Sequence, residues 1–300
     1  MASRALRALT ALLHAARAER REAGIAPART IAEERARFEL WCEGLFVSDV
    51  HFESELIAGV LTERAIPRDA GSGVIAYLHG GAYRVGSLRT HRGIVSRLAV
   101  ATRTTVVSVD YRLSPEHRFP AAVEDACAVL EVLLSLPRPV ALCGDSAGGG
   151  LALAATIALR DAGRPLPRVL AVISPWADLT CSASTYRTHA ARDPVLDGTE
   201  SLRTAADYLG GADARHPLAS PLYADLRGLP PLLVQVGDAE ILLGDSLALV
   251  DVARAAGADV TLSVYPDAIH AFPMHDVLPE AAAALDEIAR FFDARAFASA

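Results

Sequence analysis

The stretch Leu142-Cys143-Gly144-Asp145-Ser146-Ala147-Gly148-Gly149 decides the reading of this chain, because a G-x-S-x-G stands where an apolar run stops and a helical pattern begins. Pro139-Val140-Ala141-Leu142-Cys143 reads as a buried strand, and Leu151, Ala155, Ile157 and Leu159 recur in a pattern that predicts a helix starting near Ala147. A serine on so sharp a strand-to-helix turn, a nucleophile elbow, holds its hydroxyl clear of the sheet, and its flanking positions must be small. Gly144 and Gly148 meet that requirement.

On either side of the elbow lie short continuous apolar runs: Val74 to Leu78, Thr105 to Val109, Val140 to Cys143, Val169 to Ile173, Leu232 to Val236 and Val260 to Val264. Helical stretches separate most of them. Runs without alternation, spaced by helices, predict an α/β fold with a mostly parallel central sheet covered by helices on both faces. Segments near 46–53 and 58–65 keep polar positions and predict an antiparallel lead-in with one exposed face. The first 43 or so residues read as two helices, one with Leu6, Leu9, Leu13 and Ala16 on a stripe and a second, opened by Pro27, near Thr30 to Trp41. Residues from about Trp176 to Leu222 separate two strands by far more than an ordinary connection and carry one predicted helix, Thr199 to Leu209, with Pro194, Gly198, Gly210 and Gly211 around it. Insertions of that length tend to be lids or binding elements. The expected organisation is therefore a catalytic domain over 46–300, capped jointly by helices from 1–45 and by the insertion at about 176–222.

A chain of 300 residues that is 52% hydrophobic buries a large core and fits one elaborated domain better than two. Its net charge of −7, with no basic run, argues against nucleic acid as a partner. All 29 basic side chains are Arg, a bias given no functional weight. Cys42, Cys127, Cys143 and Cys181 lie far apart without C-x-x-C spacing, as free thiols in a reducing compartment would. Arg4, Arg7 and Arg17 interrupt the N-terminal leucines, so no signal-peptide core is read there, and no apolar run reaches membrane-spanning length. A soluble, cytoplasmic protein without stable membrane insertion is expected.

Acyl transfer from a serine needs a base, a group that orients the base, and donors aimed at the developing oxyanion. The donors are sought in His79-Gly80-Gly81-Ala82, directly after the strand Val74 to Leu78; the oxyanion hole is assigned to Gly80, Gly81 and Ala82 with Ala147, through the N–H groups of Gly81, Ala82 and Ala147. The base is expected near the C-terminus. His270, in the turn beyond Val260 to Val264, is the candidate, and His275 is read as a surface histidine. For the orienting acid, the loop after Leu232 to Val236 offers Asp238, Glu240 and Asp245, and spacing alone leaves all three open. Asp145 reads as support for the elbow, Glu116 and His117 as anchors of their loop, and Cys143 as strand core. Tyr83, Trp176 and Tyr208 stand equally for pocket lining or plain packing. His51, His91, His189 and His216 show no metal-ligand spacing, so no metal or cofactor is expected.

Four stretches together resemble the hormone-sensitive-lipase-like branch of α/β-hydrolases, the family IV bacterial esterases: His79 to Tyr83, Tyr111-Arg112-Leu113-Ser114-Pro115-Glu116-His117-Arg118-Phe119-Pro120, Gly144 to Gly149, and Gly237 to Leu242 with His270. The resemblance implies the α/β-hydrolase fold with a helical cap, and it places Glu240 at the position of the catalytic acid, where most relatives carry Asp. A second departure is Ala82, where the family's H-G-G-G has its last glycine; its methyl narrows the room beside the acyl carbonyl.

What the resemblance implies for chemistry is hydrolysis of short to medium acyl esters through an acyl-enzyme, with Ser146 as nucleophile, His270 as base and Glu240 as orienting acid, on a small-molecule substrate and with no cofactor. Relatives often pair, so a homodimer is the assembly it would admit. Two alternatives share the scaffold: an amidase or deacylase of a specialised metabolite, and a non-catalytic ligand-binding protein. The family includes a plant hormone receptor that has lost the catalytic histidine; here Ser146, His270 and an acid are all present.

Overall fold

Every residue of β3 (Val74–Leu78), β4 (Thr105–Val109), β5 (Val140–Asp145), β6 (Val169–Ile173) and β7 (Leu232–Gly237) is buried. Strands apolar on both faces belong inside a layered structure. In the computed structural model, which describes residues 2–22, 30–42, 47 and 49–297, they form the middle of an eight-stranded sheet. β1 (Val50–Ile57) and β2 (Val60–Pro67) complete one side and β8 (Val260–Tyr265) the other, in the order β1-β2-β4-β3-β5-β6-β7-β8. β1 with β2, and β2 with β4, pair antiparallel; the pairings from β4 across to β8 are parallel. The lead-in expected near 46–53 and 58–65 is thus present as β1 and β2, while Phe46 and Pro27 lie outside the described residues.

The period of two along β3 divides the core. Ile75 and Tyr77 join Cys143 and Ala171 against α3 (Leu88–Thr102) and α9 (Pro279–Phe292), through Ile94, Leu98, Leu285, Ile288 and Phe292. Ala76 and Leu78 join Leu142 and Val234 on the other face, under α4 (Ala121–Ser135), α5 (Ala147–Asp161) and α8 (Leu243–Ala255), through Leu130, Leu151 and Leu249. Each such side chain taken out of water contributes about 1.5–3 kcal/mol, so both faces must be covered for the sheet to persist.

Two helices precede the sheet. α1 (Arg4–Glu22) lays Leu6, Leu9 and Leu13 against Ile269, Phe272 and Leu278 beyond β8. α2 (Ile31–Trp41) has no buried residue and starts at a reciprocal capping box between Thr30 and Glu33. The segment between β6 and β7 carries α6 (Thr185–Thr188) and α7 (Gly198–Leu209), the latter capped by the Asp197 carboxylate and ended by left-handed Gly210. This segment and the N-terminal helices are tied together: Arg17 of α1 pairs with Asp197 at 2.8 Å, and Arg84 joins Glu34 of α2 (2.8 Å) to Asp207 of α7 (2.9 Å).

Candidate active site

β5 runs to Asp145 and α5 begins at Ala147, leaving Ser146 between them at φ 53°, ψ −121°, a conformation that side-chain-bearing residues adopt only under strain. Neighbouring backbone holds it there. Ser146 N–H donates to the Ile173 carbonyl (2.8 Å), and the Ser146 carbonyl accepts from Gly150 (3.1 Å) and Trp176 (2.9 Å). The turn is also crowded: a Cβ on Gly148 would stand 2.0 Å from the Leu78 carbonyl oxygen. Because Leu78 lies level with Gly144 in the parallel register, the loop after β3 and the serine turn leave adjacent strands side by side.

That loop is shaped by left-handed backbone at Gly81 (φ 113°), Ala82 (φ 55°) and Tyr83 (φ 57°), and Gly81 is obligatory because a Cβ there would meet the Val85 carbonyl oxygen at 2.2 Å. Asp145 pins the loop to the elbow, its Oδ1 accepting from the Tyr77 hydroxyl (2.8 Å) and from Gly80 N–H (2.9 Å). Burial alone would raise this carboxyl, but His91 and the Tyr77 hydroxyl hold it below its ordinary value. The Tyr111–Pro120 stretch braces the same loop from outside: the Tyr111 hydroxyl donates to the His79 carbonyl (2.6 Å), and Ser114 donates to Tyr83 through N–H (2.8 Å) and hydroxyl (3.1 Å). His79 stacks on Tyr111 at 4.3 Å, its imidazole pushed down to about 3 by burial and by His91. Gly80 therefore enters as an anchor whose amide is already used, which removes it from the donors. Among the described residues the N–H groups of Gly81, Ala82 and Ala147 have no acceptor.

Ser146, His270 and Glu240 come together. His270 Nε2 lies 3.0 Å from Ser146 Oγ, and Nδ1 lies 2.7 Å from Glu240 Oε2. With the proton on Nδ1, the ring donates to the carboxylate and accepts from the serine hydroxyl. Glu240 Oε1 accepts from the Ser174 hydroxyl (2.7 Å) and from Gly237 N–H (2.7 Å), so a fully buried carboxylate has three donors. Burial opposes the charged imidazole, but the bond and charge of Glu240, with Asp193 and Asp145 further off, outweigh it and hold His270 above its ordinary value. The other two carboxylates point elsewhere. Asp238 pairs with exposed Arg192 (3.1 Å), and Asp245 is buried beneath Tyr186 (3.3 Å) and Asp178 N–H (3.2 Å), where burial and Asp178 push its carboxyl well up.

Other side chains singled out in the sequence fall around this centre. Tyr83 stacks on Tyr208 of α7 with ring centroids 3.9 Å apart and planes 6° from parallel, Trp176 lies 6.3 Å from Tyr83, and all three are buried. Glu116 binds Arg35 of α2 at 2.7 Å, tying its loop to the N-terminal helices. Cys143 is buried in β5, its thiol pushed up by burial, and all four cysteines are free. His275, read as a surface histidine, is half-buried: it packs on exposed Trp41 (5.7 Å) and is lowered to about 4 by burial and Arg97. Among the described residues no group of three or more His, Cys, Asp and Glu is placed to hold a metal ion. Ser174 escaped the sequence reading; its signal was a Ser-Pro directly after β6, on the strand between the nucleophile and the acid.

Comparison with known proteins accords with this geometry. A family profile described as α/β hydrolase fold matches residues 75–274, the span holding all three converging side chains. A solved esterase from the bacterial hormone-sensitive lipase family superposes with a TM-score of 0.91 at 40% identity, covering 98% of this chain and 99% of that one. The chain belongs to the α/β-hydrolase fold family, in its hormone-sensitive-lipase-like branch. Within the family, an acetyl-hydrolase of Streptomyces hygroscopicus is 48% identical over 221 residues, 72% of this chain and 74% of that protein. An esterase of Acinetobacter venetianus is 37% identical over 241 residues, 78% of this chain and 79% of that protein.

Proposed function

We propose that this carboxylesterase is a serine hydrolase that cleaves esters of short acyl chains through an acyl-enzyme. The observation that carries the reading is the unbroken hydrogen-bond chain from Ser146 Oγ through His270 to Glu240 (3.0 and 2.7 Å), beside amides that have no other acceptor. His270 takes the Ser146 proton as Oγ attacks the ester carbonyl carbon. The carbonyl oxygen becomes an oxyanion bonded by the Gly81, Ala82 and Ala147 N–H groups, each such donor typically worth about 3 kcal/mol in the transition state. Collapse expels the alkoxide, which leaves as alcohol with the proton from His270. Water then gives a proton to His270 and its oxygen to the acyl carbon, and the second collapse returns the proton to Ser146 and frees the acid. Glu240 keeps the proton on Nδ1 throughout and stabilises the imidazolium.

The name of the Streptomyces relative speaks for acetyl as the acyl group and leaves the group it is cleaved from open, so an amide substrate is the second reading. The N-terminal helices and the 176–222 segment act as the cap, with residues 46–300 as the catalytic domain. No described helix is long and apolar enough to cross a membrane. Four free thiols fit the reducing cytoplasm, and a homodimer is an assembly the family resemblance admits.

Hydrolysis of p-nitrophenyl esters from acetate to palmitate, with Ser146→Ala alongside, tests the reading. Turnover is expected to peak at acetate to butyrate and to vanish in the variant. Equal rates for wild type and Ser146→Ala would remove the serine mechanism. A matched p-nitroanilide series ranks ester against amide.

A further inference from the structure

The loop that carries Glu240 is gripped from the inserted segment as well as from the sheet. Asp193, fully buried, accepts the N–H of Ile241 at Oδ2 (2.9 Å) and the N–H groups of Val195 (2.8 Å) and Leu196 (2.9 Å) at Oδ1. Thr185, on the same segment, donates its hydroxyl to the Ile241 carbonyl (2.6 Å). Both polar groups of the residue next to Glu240 are thus held from outside the sheet.

The carboxylate of Asp193 has three amide donors but, among the described residues, no salt bridge. Arg17 of α1 donates to the backbone carbonyls of Asp193 (2.8 Å) and Leu196 (3.2 Å) and pairs instead with Asp197 (2.8 Å). Arg192 turns outward to Asp238 (3.1 Å) and Asp267 (3.7 Å). A buried anion without a countercharge exerts a field over a longer range than a paired one. The charged groups acting on His270 are Glu240 from the loop after β7, Asp193 from the insertion and Asp145 from the elbow.

We propose that Asp193 is a positioning residue of the catalytic triad: its bond to Ile241 N–H fixes the Glu240 loop, and its unpaired charge supports the imidazolium that forms on His270 in each transition state. The proposal rests on the assignment of Ser146, His270 and Glu240 as the triad. Since the imidazolium exists in the transition states and not in the bound substrate complex, the effect falls on kcat and spares KM.

The test compares the full-length wild type with Asp193→Asn and Glu240→Gln on p-nitrophenyl acetate from about pH 5 to about pH 9, with rates expressed per active site titrated by an organophosphate. Asparagine keeps an oxygen for Val195 and Leu196 but sets an NH2 against Ile241 N–H and removes the charge. For Asp193→Asn, kcat is expected to fall about 10- to 100-fold with KM near the wild-type value, and the acid limb of kcat/KM to move to lower pH. A kcat within about twofold of wild type and an unmoved limb, while Glu240→Gln loses about 1,000-fold or more, would overturn the role of Asp193 and leave the triad standing. A Glu240→Gln enzyme that keeps its activity would remove the triad assignment and the proposal with it. Should Asp193→Asn fail to fold, Arg17→Met loosens the same loop without touching a buried charge; a several-fold lower kcat with an unmoved acid limb is then expected, and wild-type kcat overturns the positioning role.

Discussion

His270 is pulled in opposite directions, by burial toward the neutral ring and by Glu240 toward the imidazolium, and the second wins. In the proposed mechanism only the neutral ring takes the Ser146 proton, so lowering pH through the raised pKa is expected to remove the base and with it activity on the acid side. The acid limb of kcat/KM is expected with its midpoint above about 6.5, the ordinary imidazole value, and a pH-rate profile with a short-chain ester measures it. His79 and His275, held near 3 and 4, titrate too low to mimic that limb. A midpoint well below 6.5 in a folded enzyme would contradict the balance described. Ser146 and His270 were legible as candidates because each is tied to a strand end by a recognisable run of residues. Glu240 was not separable by spacing from Asp238 and Asp245, since the choice depends on which carboxylate reaches Ser174 and the Gly237 N–H across the sheet. Asp145 looked like support for its own turn, whereas it also holds Tyr77 and Gly80, 68 and 65 residues away in sequence.

Elements with one strong physical signature were the easiest to read. Strands buried on both faces had to be continuous apolar runs, and five of the six runs read in the sequence fall on β3 to β7, while the sixth falls on β8, a partly exposed edge strand. α7 starts one residue earlier than its apolar pattern suggested, because the Asp197 carboxylate caps it there. α6, four residues long, is too short to show any period. The contact between α5 and β3 shows how little slack the elbow has: Gly148→Ala would drive a methyl into the Leu78 carbonyl, where backbone on both sides blocks relief. The expected cost is about 1–3 kcal/mol or more, read as a lower thermal midpoint, together with a larger loss of kcat than of substrate affinity as Ser146 shifts. An unchanged midpoint and kcat would mean that the elbow can move as a unit.

For the molecule as a whole, the sequence led to the expectation that an insertion and two N-terminal helices form a joint cap, but which side chains would join them depends on distant residues meeting. Arg84 is the clearest joint, placed one residue beyond Tyr83 and held by Glu34 on one side and Asp207 on the other. Its partners are partly exposed, so each pair is worth at most about 1 kcal/mol and is screened by salt. Arg84→Met is expected to lower kcat/KM several-fold by loosening the loop that carries the Gly81 and Ala82 amides. Raising salt from about 0.05 to about 1 M should lower wild-type kcat/KM in the same direction while changing the variant less. Equal salt responses in the two enzymes would show that the joint has no effect on the loop.

The neighbouring register of Leu78 and Gly144 divides the machinery by robustness. The distance between the serine and the amides after β3 is inherited from the strand spacing of about 4.8 Å, which every intact sheet reproduces. The imidazole and its carboxylate hang from β8 and β7, the outer strands on that side, and depend on loops to span the gap. On the proposed assignment, a molecule loosened at its rim keeps the Gly81, Ala82 and Ala147 amides beside Ser146 while His270 and Glu240 drift away, so gentle heating is expected to cost turnover before it costs binding of an ester carbonyl.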